Sequence, residues 1–452
     1  MRLTLTVDSI RQSASSLQAA LSAFDALHPG EGARRQPVHT VYGGAHLFRA
    51  DISRRLGERA RAALDEYAPT AAAFAKAIGL GGGKKLVETV YRRVHEKLER
   101  EPVEDFRIYF EDGYGTRPDR EEDGHAVSVA EEVAVGMQGG TLPPFIGIRI
   151  KPFSAELWER SVRTLDLFLT RLVEQTANRF PENFFVTLPK VSLPEQVAAL
   201  AGVLEALEVR LGVASGALKI ELMIETPQAI LNARGEVNLL PLVSAARGRC
   251  VAAHFGTYDY TASLGITAAH QHMLHPACDF ARQTLQVALA GTGVWLSDGA
   301  TNVLPVAPHR AAPGGRLSPA KRAENRATIH RAWRLHYEHV RHSLERAFYQ
   351  GWDLHPAQLP TRYAAIYSFF IEGVGPASER LRNFVAKAAQ ATLLGEVFDD
   401  AATGQGLLNF FLRAINCGAI AEEEALPLTG LTREELRMGS FVRIVKSRTK
   451  QA

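Results

Sequence analysis

Short apolar runs alternate with longer helical periods along most of the chain. Eight runs rich in Val, Ile, Leu, Phe and Tyr are typical of buried strands. They occupy residues 39–48, 107–112, 145–151, 183–190, 219–225, 250–256, 293–299 and 352–358. In residues 155–177 and 193–212 between them, apolar positions recur three or four residues apart, which predicts helices with one apolar face.

Several helix starts carry sequence signals of their own. Thr226 and Ser318 each precede a proline, an arrangement that favours a cap residue followed by the first helical turn. Ser192 and Glu195 have the spacing of a capping box. These signals predict that helices begin close to residues 193, 227 and 319.

The order of the elements predicts the fold class. Strands that are apolar on both faces, each followed by a helix, pair in parallel. Eight such units predict an α/β fold, a closed (β/α)₈ TIM barrel over residues 37–361. Around it we predict a helical N-terminal segment (1–36), insertions at 67–103 and 113–141, and a helical C-terminal extension (362–452) linked through 373–378.

Composition narrows the class of protein. Of 452 residues, 46% are hydrophobic and 22% are charged, which is typical of a soluble globular protein. The net charge of +3 is too small to favour a nucleic acid or a membrane surface as partner. The three cysteines are too few and too scattered for a disulfide framework or a zinc site, and they suit the cytoplasm. No apolar run approaches the roughly 18 residues of a membrane span.

Polar residues gather where the predicted strands end. A parallel barrel carries its chemistry at the carboxyl ends of its strands. In chain order those ends supply His46, Glu111 and Asp112, Arg149 and Lys151, Lys190, Glu225, Asp259, Asp298, and finally His355 and Gln358. We therefore expect one polar site at this end of the barrel.

Most of these residues also have a structural interpretation. Asp298 is equally compatible with a turn, and Lys190 with an ordinary ion pair between strands. His46 and His355 fit the commoner role of core histidines, and the pair at 111–112 fits a cap for the following segment. The sequence leaves these alternatives open.

Glu225 and Asp259 are harder to explain structurally because each follows an otherwise apolar strand. The two strands are consecutive, and neighbouring parallel strands lie about 4.8 Å apart. Two carboxylates at adjacent strand ends can therefore reach one cation. Oxygen ligands, completed by water and substrate, favour Mg²⁺ or Mn²⁺.

Several segments, taken in order, resemble the HpcH/HpaI aldolase and citrate lyase family, which has a barrel of the phosphoenolpyruvate/pyruvate type. The matching segments are "YFED" (109–112), "IRI" around Arg149, "LPKV" (188–191), "MIETPQAI" (223–230), "FGTYDYTASLG" (255–265) and "HPAQ" (355–358). The segment "YGGAHLF" (42–48) is not typical of the characterised lyases, so the chain resembles a separate branch.

The resemblance implies site residues. Glu225 and Asp259 would bind magnesium, Arg149 would bind the enolate oxygen of the substrate, and the backbone at Gly256 and Thr257 would bind its carboxylate. We take Arg149, His46, Glu111, Asp112 and Lys190 as the candidate catalytic residues. For the general base, His46, His254 and a metal-bound water remain alternatives.

The function predicted in this way is that of a Mg²⁺-dependent carbon–carbon lyase or aldolase. The substrate would be a small 2-oxo or hydroxy acid, free or as a CoA thioester, and the reaction would pass through an enolate. The alternatives are a phosphoenolpyruvate or phosphoryl-transfer enzyme and a non-catalytic binding protein. We also expect a homo-oligomer, in which the apolar segment 363–373 is either a subunit contact or the last helix of the barrel itself.

Overall fold

A computed structural model describes residues 4–30, 34–312, 314–386, 392–394, 397–399 and 401–451. Eight parallel strands form a closed barrel, in which the eighth strand pairs with the first. They are β1 (His39–Gly44), β2 (Asp105–Tyr109), β3 (Phe145–Arg149), β4 (Phe184–Leu188), β5 (Lys219–Ile224), β6 (Cys250–Phe255), β7 (Trp295–Ala300) and β8 (Gln350–Asp353). The predicted (β/α)₈ barrel is confirmed.

Helices surround this barrel and continue beyond it in the described part of the chain. They are α1 (Val7–Leu27), α2 (Ile52–Tyr67), α3 (Ala71–Ile78), α4 (Lys84–Arg100), α5 (Asp119–Gly139), α6 (Trp158–Thr176), α7 (Pro194–Leu211), α8 (Pro227–Ile230), α9 (Leu239–Ala245), α10 (Thr257–Ser263), α11 (Pro276–Leu289), α12 (Pro319–Glu345), α13 (Leu359–Ala386), α14 (Ala401–Asn416), α15 (Glu422–Thr429), α16 (Arg433–Met438) and α17 (Phe441–Gln451). Two short strands, β9 (Thr392–Leu394) and β10 (Val397–Asp399), pair in antiparallel fashion. None of the helices in the described residues is long and apolar enough to cross a membrane.

Of the two predicted insertions, one needs correction and the other agrees with the structure. The stretch 113–141 is not an insertion, because α5 fills it and supplies the helix between β2 and β3. Small side chains such as Ala126, Ala130 and Ala134 are buried along α5, so the helix lies close against the barrel despite its acidic first turn. The stretch 67–103 contains α3 and α4, which are additional to α2 between β1 and β2.

The predicted link at 373–378 is also wrong. Those residues lie inside α13, a helix of 28 residues that includes Pro376 and crosses the predicted boundary at residue 362. Tyr363, Ile366 and Phe370 of this helix are buried within the same chain, so its first half completes the barrel. We propose that the C-terminal extension begins after α13.

All three predicted helix starts agree with the structure, and the predicted cap residues agree at two of them. Thr226 and Ser318 cap α8 and α12 by accepting hydrogen bonds from the backbone N–H groups of Ala229 and Lys321. The capping box before α7 is shifted by one residue. Gln196, rather than Glu195, accepts from the backbone of Leu193 (3.0 Å) and of the residue before it.

The lower half of the barrel interior contains a layer of charged side chains, which we call the lower layer. It consists of Asp105, Arg107 and Glu221, with Thr40 and Thr187 between them. Arg107 donates to Asp105 and to Glu221 (3.2 Å), while Thr40 donates to Asp105 (2.9 Å) and Thr187 to Glu221 (2.8 Å). Every carboxylate oxygen in this fully buried layer therefore has a donor.

The barrel closes through a buried ionic joint on β8. Asp353 lies 3.1 Å from Nδ1 of His39 on β1 and 2.9 Å from Nε2 of His336 on α12. Arg362 of α13 binds the same carboxylate, at 2.8 Å from Nη2. Burial raises the pKa of Asp353, but these cationic and donor groups outweigh it and hold the pKa well below the usual value.

Candidate active site

The ends of β2, β3, β4 and β5 bring charged side chains together at the mouth of the barrel. Arg149, the last residue of β3, is buried and lies 2.6 Å from Oε2 of Glu111. Its Nη2 is also 3.6 Å from Glu225 and 3.8 Å from Asp112. The sequence analysis named all four of these residues, and the structure places them in one cluster, which we call the mouth cluster.

Lys190 completes the cluster from the end of β4. Its Nζ binds Glu111, lies 3.0 Å from Asp112 and lies 3.6 Å from Asp259. The backbone of Lys190 is left-handed, with φ of 52°. This conformation is costly for a residue with a Cβ and is found where the surroundings require it. Here the backbone N–H of Lys190 donates to Oε1 of Glu225 at 2.7 Å.

Glu225 and Asp259 approach the cluster from β5 and α10. Glu225 follows β5 and is 1% exposed, whereas Asp259 is in the first turn of α10, with 40% of its side chain exposed. Gly256, the cap of α10, allows Glu225 to come this close. A Cβ at position 256 would lie 2.5 Å from both Cβ and Oε2 of Glu225.

The charges of the cluster do not balance. Four carboxylates, at positions 111, 112, 225 and 259, face two cations, Arg149 and Lys190, so full ionisation leaves two surplus negative charges. Burial raises the pKa of Glu225 to about 7, against the opposing effect of Arg149. Burial also raises the pKa of Glu111.

The two cations stay charged in this environment. Burial lowers the pKa of Lys190, but its hydrogen bond to Glu111 and the neighbouring carboxylates outweigh that effect and raise the pKa overall. For Arg149, burial likewise opposes the charge, and Glu225 and Glu111 raise the pKa above its ordinary value. Lys190 is therefore a protonated ammonium at neutral pH.

The donor set fits a divalent cation. The surplus of two negative charges matches the charge of one such ion, and Oε2 of Glu225 accepts no hydrogen bond from any described residue. Within the described residues, no group of three or more His, Cys, Asp or Glu is arranged to hold a metal. Glu225 and Asp259 would supply carboxylate ligands, and water and substrate would complete the coordination.

Other strand-end residues have structural partners outside the mouth cluster. Asp298 is fully buried on the outer side of β7, where Arg282 of α11 and Ser343 of α12 bind it at 3.1 and 2.6 Å. Lys151 binds the Phe110 carbonyl and Glu122 of α5, each at 2.7 Å. The sequence left two alternatives open for Asp298, a residue of the polar site and a residue of a simple turn, and neither is correct.

The "HPAQ" segment forms a capped turn after β8 rather than the end of the strand. The ring of His355 accepts from the backbone of Ala357 at 3.2 Å. Gln358 accepts from the backbone of Leu354 at 2.8 Å and donates to the Thr301 carbonyl at 3.0 Å. Both side chains therefore hold the loop.

The two candidate histidines occupy different places. His46 packs against the rings of Tyr114 and His125, with centroid distances of 5.6 and 6.2 Å. Burial, Arg117 and His125 lower its pKa, and no described contact joins it to the mouth cluster. The grouping of His46 with the other catalytic candidates therefore needs correction.

His254 lies inside the barrel, beneath the mouth cluster. It is fully buried on β6, and neither ring nitrogen has a hydrogen-bond partner among the described residues. Burial lowers its pKa to about 4. Its ring centroid is 5.9 Å from the centroids of both Tyr42 and Trp352.

Those two aromatic residues were missed by the sequence analysis. Tyr42 and Trp352 lie 4.4 Å apart, and the guanidinium of Arg149 is 5.5 and 5.9 Å from their ring centroids. They form an aromatic support that holds the guanidinium plane at the mouth. Their inward orientation could have been predicted from the alternation of side chains along β1 and β8, because residues two apart on a strand face the same side.

The side chain of Thr257 points away from the cluster. It is buried, and its hydroxyl lies 3.2 Å from the sulfur of Met273. Only the backbone of Thr257, next to Gly256 at the start of α10, remains available for the predicted carboxylate site.

Comparison with solved structures identifies the class of fold. A crystal structure of a citrate lyase from Burkholderia xenovorans LB400 matches with a TM-score of 0.56 and 19% identity, over 87% of this chain and 96% of that chain. The Mycobacterium tuberculosis protein CitE, in complex with magnesium, acetoacetate and coenzyme A, matches at 0.46 and 14% identity, over 86% and 100%. Malate synthase from Haloferax volcanii matches at 0.45 and 13% identity, over 91% and 99%. No curated protein matches the chain.

The chain thus has the barrel fold found in that citrate lyase. It belongs to the family described as a domain of unknown function (DUF6986), whose sequence profile matches residues 17–444.

Proposed function

We propose that the chain is a divalent-metal-dependent carbon–carbon lyase or aldolase of the HpcH/HpaI and citrate lyase type. Its substrate would be a small 2-oxo or hydroxy acid, and the reaction would pass through an enolate. The observation that carries the proposal is the surplus of two negative charges beside a buried arginine at the barrel mouth. The similarity in fold to a citrate lyase supports the same reaction class.

The metal would be Mg²⁺ or Mn²⁺, held by Glu225 and Asp259. When bound, it supplies Lewis-acid stabilisation for the charge that develops on the enolate. The chain's own part is to keep Glu225 in place through the N–H of Lys190 and through the space left by Gly256. These contacts orient one carboxylate oxygen and leave the other open.

Arg149 would bind the oxygen on which charge develops. Glu111 holds one end of its guanidinium, and Tyr42 and Trp352 support its plane. Its Nε is buried without a hydrogen-bond partner among the described residues, so that N–H lacks an acceptor there. A fixed donor of this kind stabilises an oxyanion without needing to reorganise.

The state of Lys190 favours a metal-dependent enzyme over a Schiff-base aldolase. A Schiff base requires a neutral amine, and enzymes obtain one by lowering the pKa of lysine. Carboxylates raise the pKa of Lys190 despite its burial. We therefore assign Lys190 the role of holding Glu111 and Asp112 in position.

For the proton acceptor we propose Glu111 rather than a histidine. His254 has a pKa lowered to about 4 by burial and so is a weak base near pH 7, and His46 lies apart from the cluster. Glu111 contacts both cations, and burial raises its pKa. A base works best when its pKa approaches the working pH.

The charge of the mouth also bears on the alternative chemistry. A phosphoryl substrate is strongly anionic and needs a basic cradle. The mouth cluster has twice as many carboxylates as cations, so its residues do not form a basic cradle of that kind. We also propose the cytoplasm as the location, because the three cysteines are free and a reducing compartment keeps thiols free.

The test is solvent deuterium exchange into pyruvate, with and without Mg²⁺. We expect exchange at the methyl group that depends on Mg²⁺ and is lost in Glu225→Gln and Asp259→Asn. Titration calorimetry should show that both variants bind Mg²⁺ more weakly, while Glu195→Gln, which changes an exposed carboxylate on α7, should bind it normally. Unchanged Mg²⁺ affinity in both site variants would refute the metal site, and exchange without metal would refute the reaction class.

A further inference from the structure

Helix α1 presents an apolar stripe to solvent along its whole length. All of its residues are described, and none is buried. The stripe consists of Val7, Ile10, Ala14, Leu17, Leu21, Phe24 and His28, and we call it the α1 seam. Leu17 is 55% exposed and Phe24 is 58% exposed. Contiguous exposed apolar surface of this kind marks an interaction site.

The spacing of the α1 seam indicates the shape of its partner. Its members alternate at steps of three and four residues, which is the a and d pattern of a heptad repeat. Such a narrow stripe packs against another helix rather than against a broad sheet surface. The 21 residues of α1 make three heptads, and a helix in a protein gains most of its stability from the packing of its apolar face.

Within its own chain, α1 is fastened only near its end among the described residues. The N–H of Gly30 donates to the carbonyl of Gly291 at 2.8 Å, and His28 lies against the same glycine. Nearby, α9 and α11 form an apolar groove of about 410 Å³, which we call the α9–α11 groove. Its exposed apolar residues on α11, Phe280 and Val287, span about two turns, which is too short for a seam of three heptads.

We propose that the α1 seam packs against the α1 seam of a second copy of this chain, as an antiparallel two-stranded coil. In that arrangement each a position of one helix faces a d position of the other. Leu17 then faces Leu21, and Ala14 faces Phe24 of the other copy. A small residue thus meets a large one, which is how close-packed layers fill space. A parallel pair would place Ala14 on Ala14 and Phe24 on Phe24.

The charges beside the seam favour the same orientation. Arg11 and Asp25 both occupy the e position of the heptad. In an antiparallel pair, e positions lie next to e positions, so Arg11 of each copy meets Asp25 of the other. In a parallel pair, Arg11 would lie beside Thr6 and Asp25 beside Ala20, without an opposite charge.

The attachment of α1 to the barrel gives a third argument. Each α1 joins its barrel at the carboxyl end, through Gly30. An antiparallel coil places the two barrels at opposite ends of helices that are about 31 Å long, at 1.5 Å per residue. A parallel coil would bring both barrels to the same end. The proposed dimer is isologous, since the same surface serves both copies.

The experiment is a mass measurement by light scattering on the full chain, without substrate or metal. The 49.4 kDa chain should form a dimer or a multiple of it, and Leu17→Asp should halve the mass. Because none of the residues of α1 is buried, the variant should keep the barrel's melting temperature. Val209→Asp, at an 81% exposed site on α7, is the matched control and should leave the mass unchanged.

Two further variants distinguish the partner and the orientation. Arg11→Asp should weaken the dimer, and the exchange Arg11→Asp with Asp25→Arg should restore it. Val287→Asp should leave the dimer intact. If that variant loses the dimer, the partner of the α1 seam is the α9–α11 groove and not a second α1 seam. A monomeric wild type, or a dimer that survives Leu17→Asp, would overturn the proposal. These outcomes do not depend on the enzymatic activity.

Discussion

The barrel interior contains two layers of charged side chains, and strands β2 and β5 contribute to both. Arg107 and Glu111 lie on or just after β2, and Glu221 and Glu225 on or just after β5. In both layers carboxylates outnumber cations by two to one. In the lower layer each carboxylate oxygen has a donor and no side chain reaches solvent.

The mouth cluster differs in what it leaves open. Oxygen Oε2 of Glu225 has no donor among the described residues, and Asp112 keeps 63% of its side chain exposed. The same ratio of carboxylates to cations thus makes a structural element when it is closed and a candidate binding site when it is open. What separates them is the number of satisfied oxygens and their access to solvent rather than the ratio of carboxylates to cations.

The largest difference should appear when each layer loses its arginine. Arg107→Leu leaves Asp105 and Glu221 buried without a cation, which typically costs about 3–5 kcal/mol in the free energy of unfolding. Arg149→Leu should cost less, because Asp112 and Asp259 reach water. Urea denaturation of both variants measures the two losses. Equal losses would mean that the mouth cluster is as structural as the lower layer.

Arg149→Lys should then separate catalysis from stability at the mouth. Lysine keeps the charge but not the fork of donors, and removing one donor to an oxyanion typically costs about 2.7–4 kcal/mol. We expect Mg²⁺-dependent deuterium exchange into pyruvate to fall by roughly a hundred- to thousand-fold at unchanged Mg²⁺ affinity. Exchange and melting temperature should be measured on the same preparation. Normal exchange with early melting would assign Arg149 to the scaffold.

Glu225→Gln should stabilise the metal-free protein at alkaline pH. The pKa of Glu225 rises from 4.5 to about 7 on folding. The stability linked to its protonated form is therefore fully present below pH 4.5 and is lost as the pH rises through 7, by at most about 3 kcal/mol. Melting temperatures at pH 5.5 and 8, with a chelator present, should fall more for the wild type than for the variant. Equal falls would contradict the raised pKa.

Of the four predictions, Gly256→Ala should have the smallest effect. The added methyl group would meet Glu225 at 2.5 Å and displace it, although the φ of −102° suits alanine. We expect about a tenfold loss of Mg²⁺ affinity, or about 1.4 kcal/mol, with the fold retained. Gly202→Ala on α7, where no atom lies within 4 Å of the new Cβ, is the matched control in calorimetry. Equal affinities would show that the close approach has no role.

The sequence predicted the mouth cluster because parallel strands end at one edge of a barrel. Any polar residue that follows such a strand enters the same region, so Glu111, Arg149, Lys190, Glu225 and Asp259 could be grouped without knowing a single distance. The grouping needed only approximate strand limits. This is why the coarse site was predictable.

The errors arise where one residue decides the direction of a side chain. Asp298 follows Ser297, which is in register with the inward-facing His254, so Asp298 points out to α11. A shift of one position exchanges the two faces of a strand, and strand limits are not read from sequence that accurately. His46 lies in a short 3₁₀ turn after β1 (Ala45–Leu47), where it packs against Tyr114 and His125 of distant segments.

Two elements were misjudged because tertiary packing outweighs local composition. The acidic composition of the stretch before β3 predicted an insertion, but buried small residues such as Ala130 make it a helix of the barrel. The stretch around Pro376 was predicted to link the barrel to the C-terminal extension, because proline disfavours a helix interior. Burial of Ala377 and Leu381 on the following turns holds the helix through it.

The ionic joint of β8 has a consequence for the order in which the molecule is made. Asp353 is synthesised long after His39, the residue that it must meet on β1. Until it leaves the ribosome, the nascent chain carries β1 and β7 as open sheet edges, which readily pair with other chains. Contacts between such distant residues also form slowly. The closing of the barrel is therefore the step at which a growing chain depends most on chaperones, and a chain that ends before residue 353 lacks the residue that completes it.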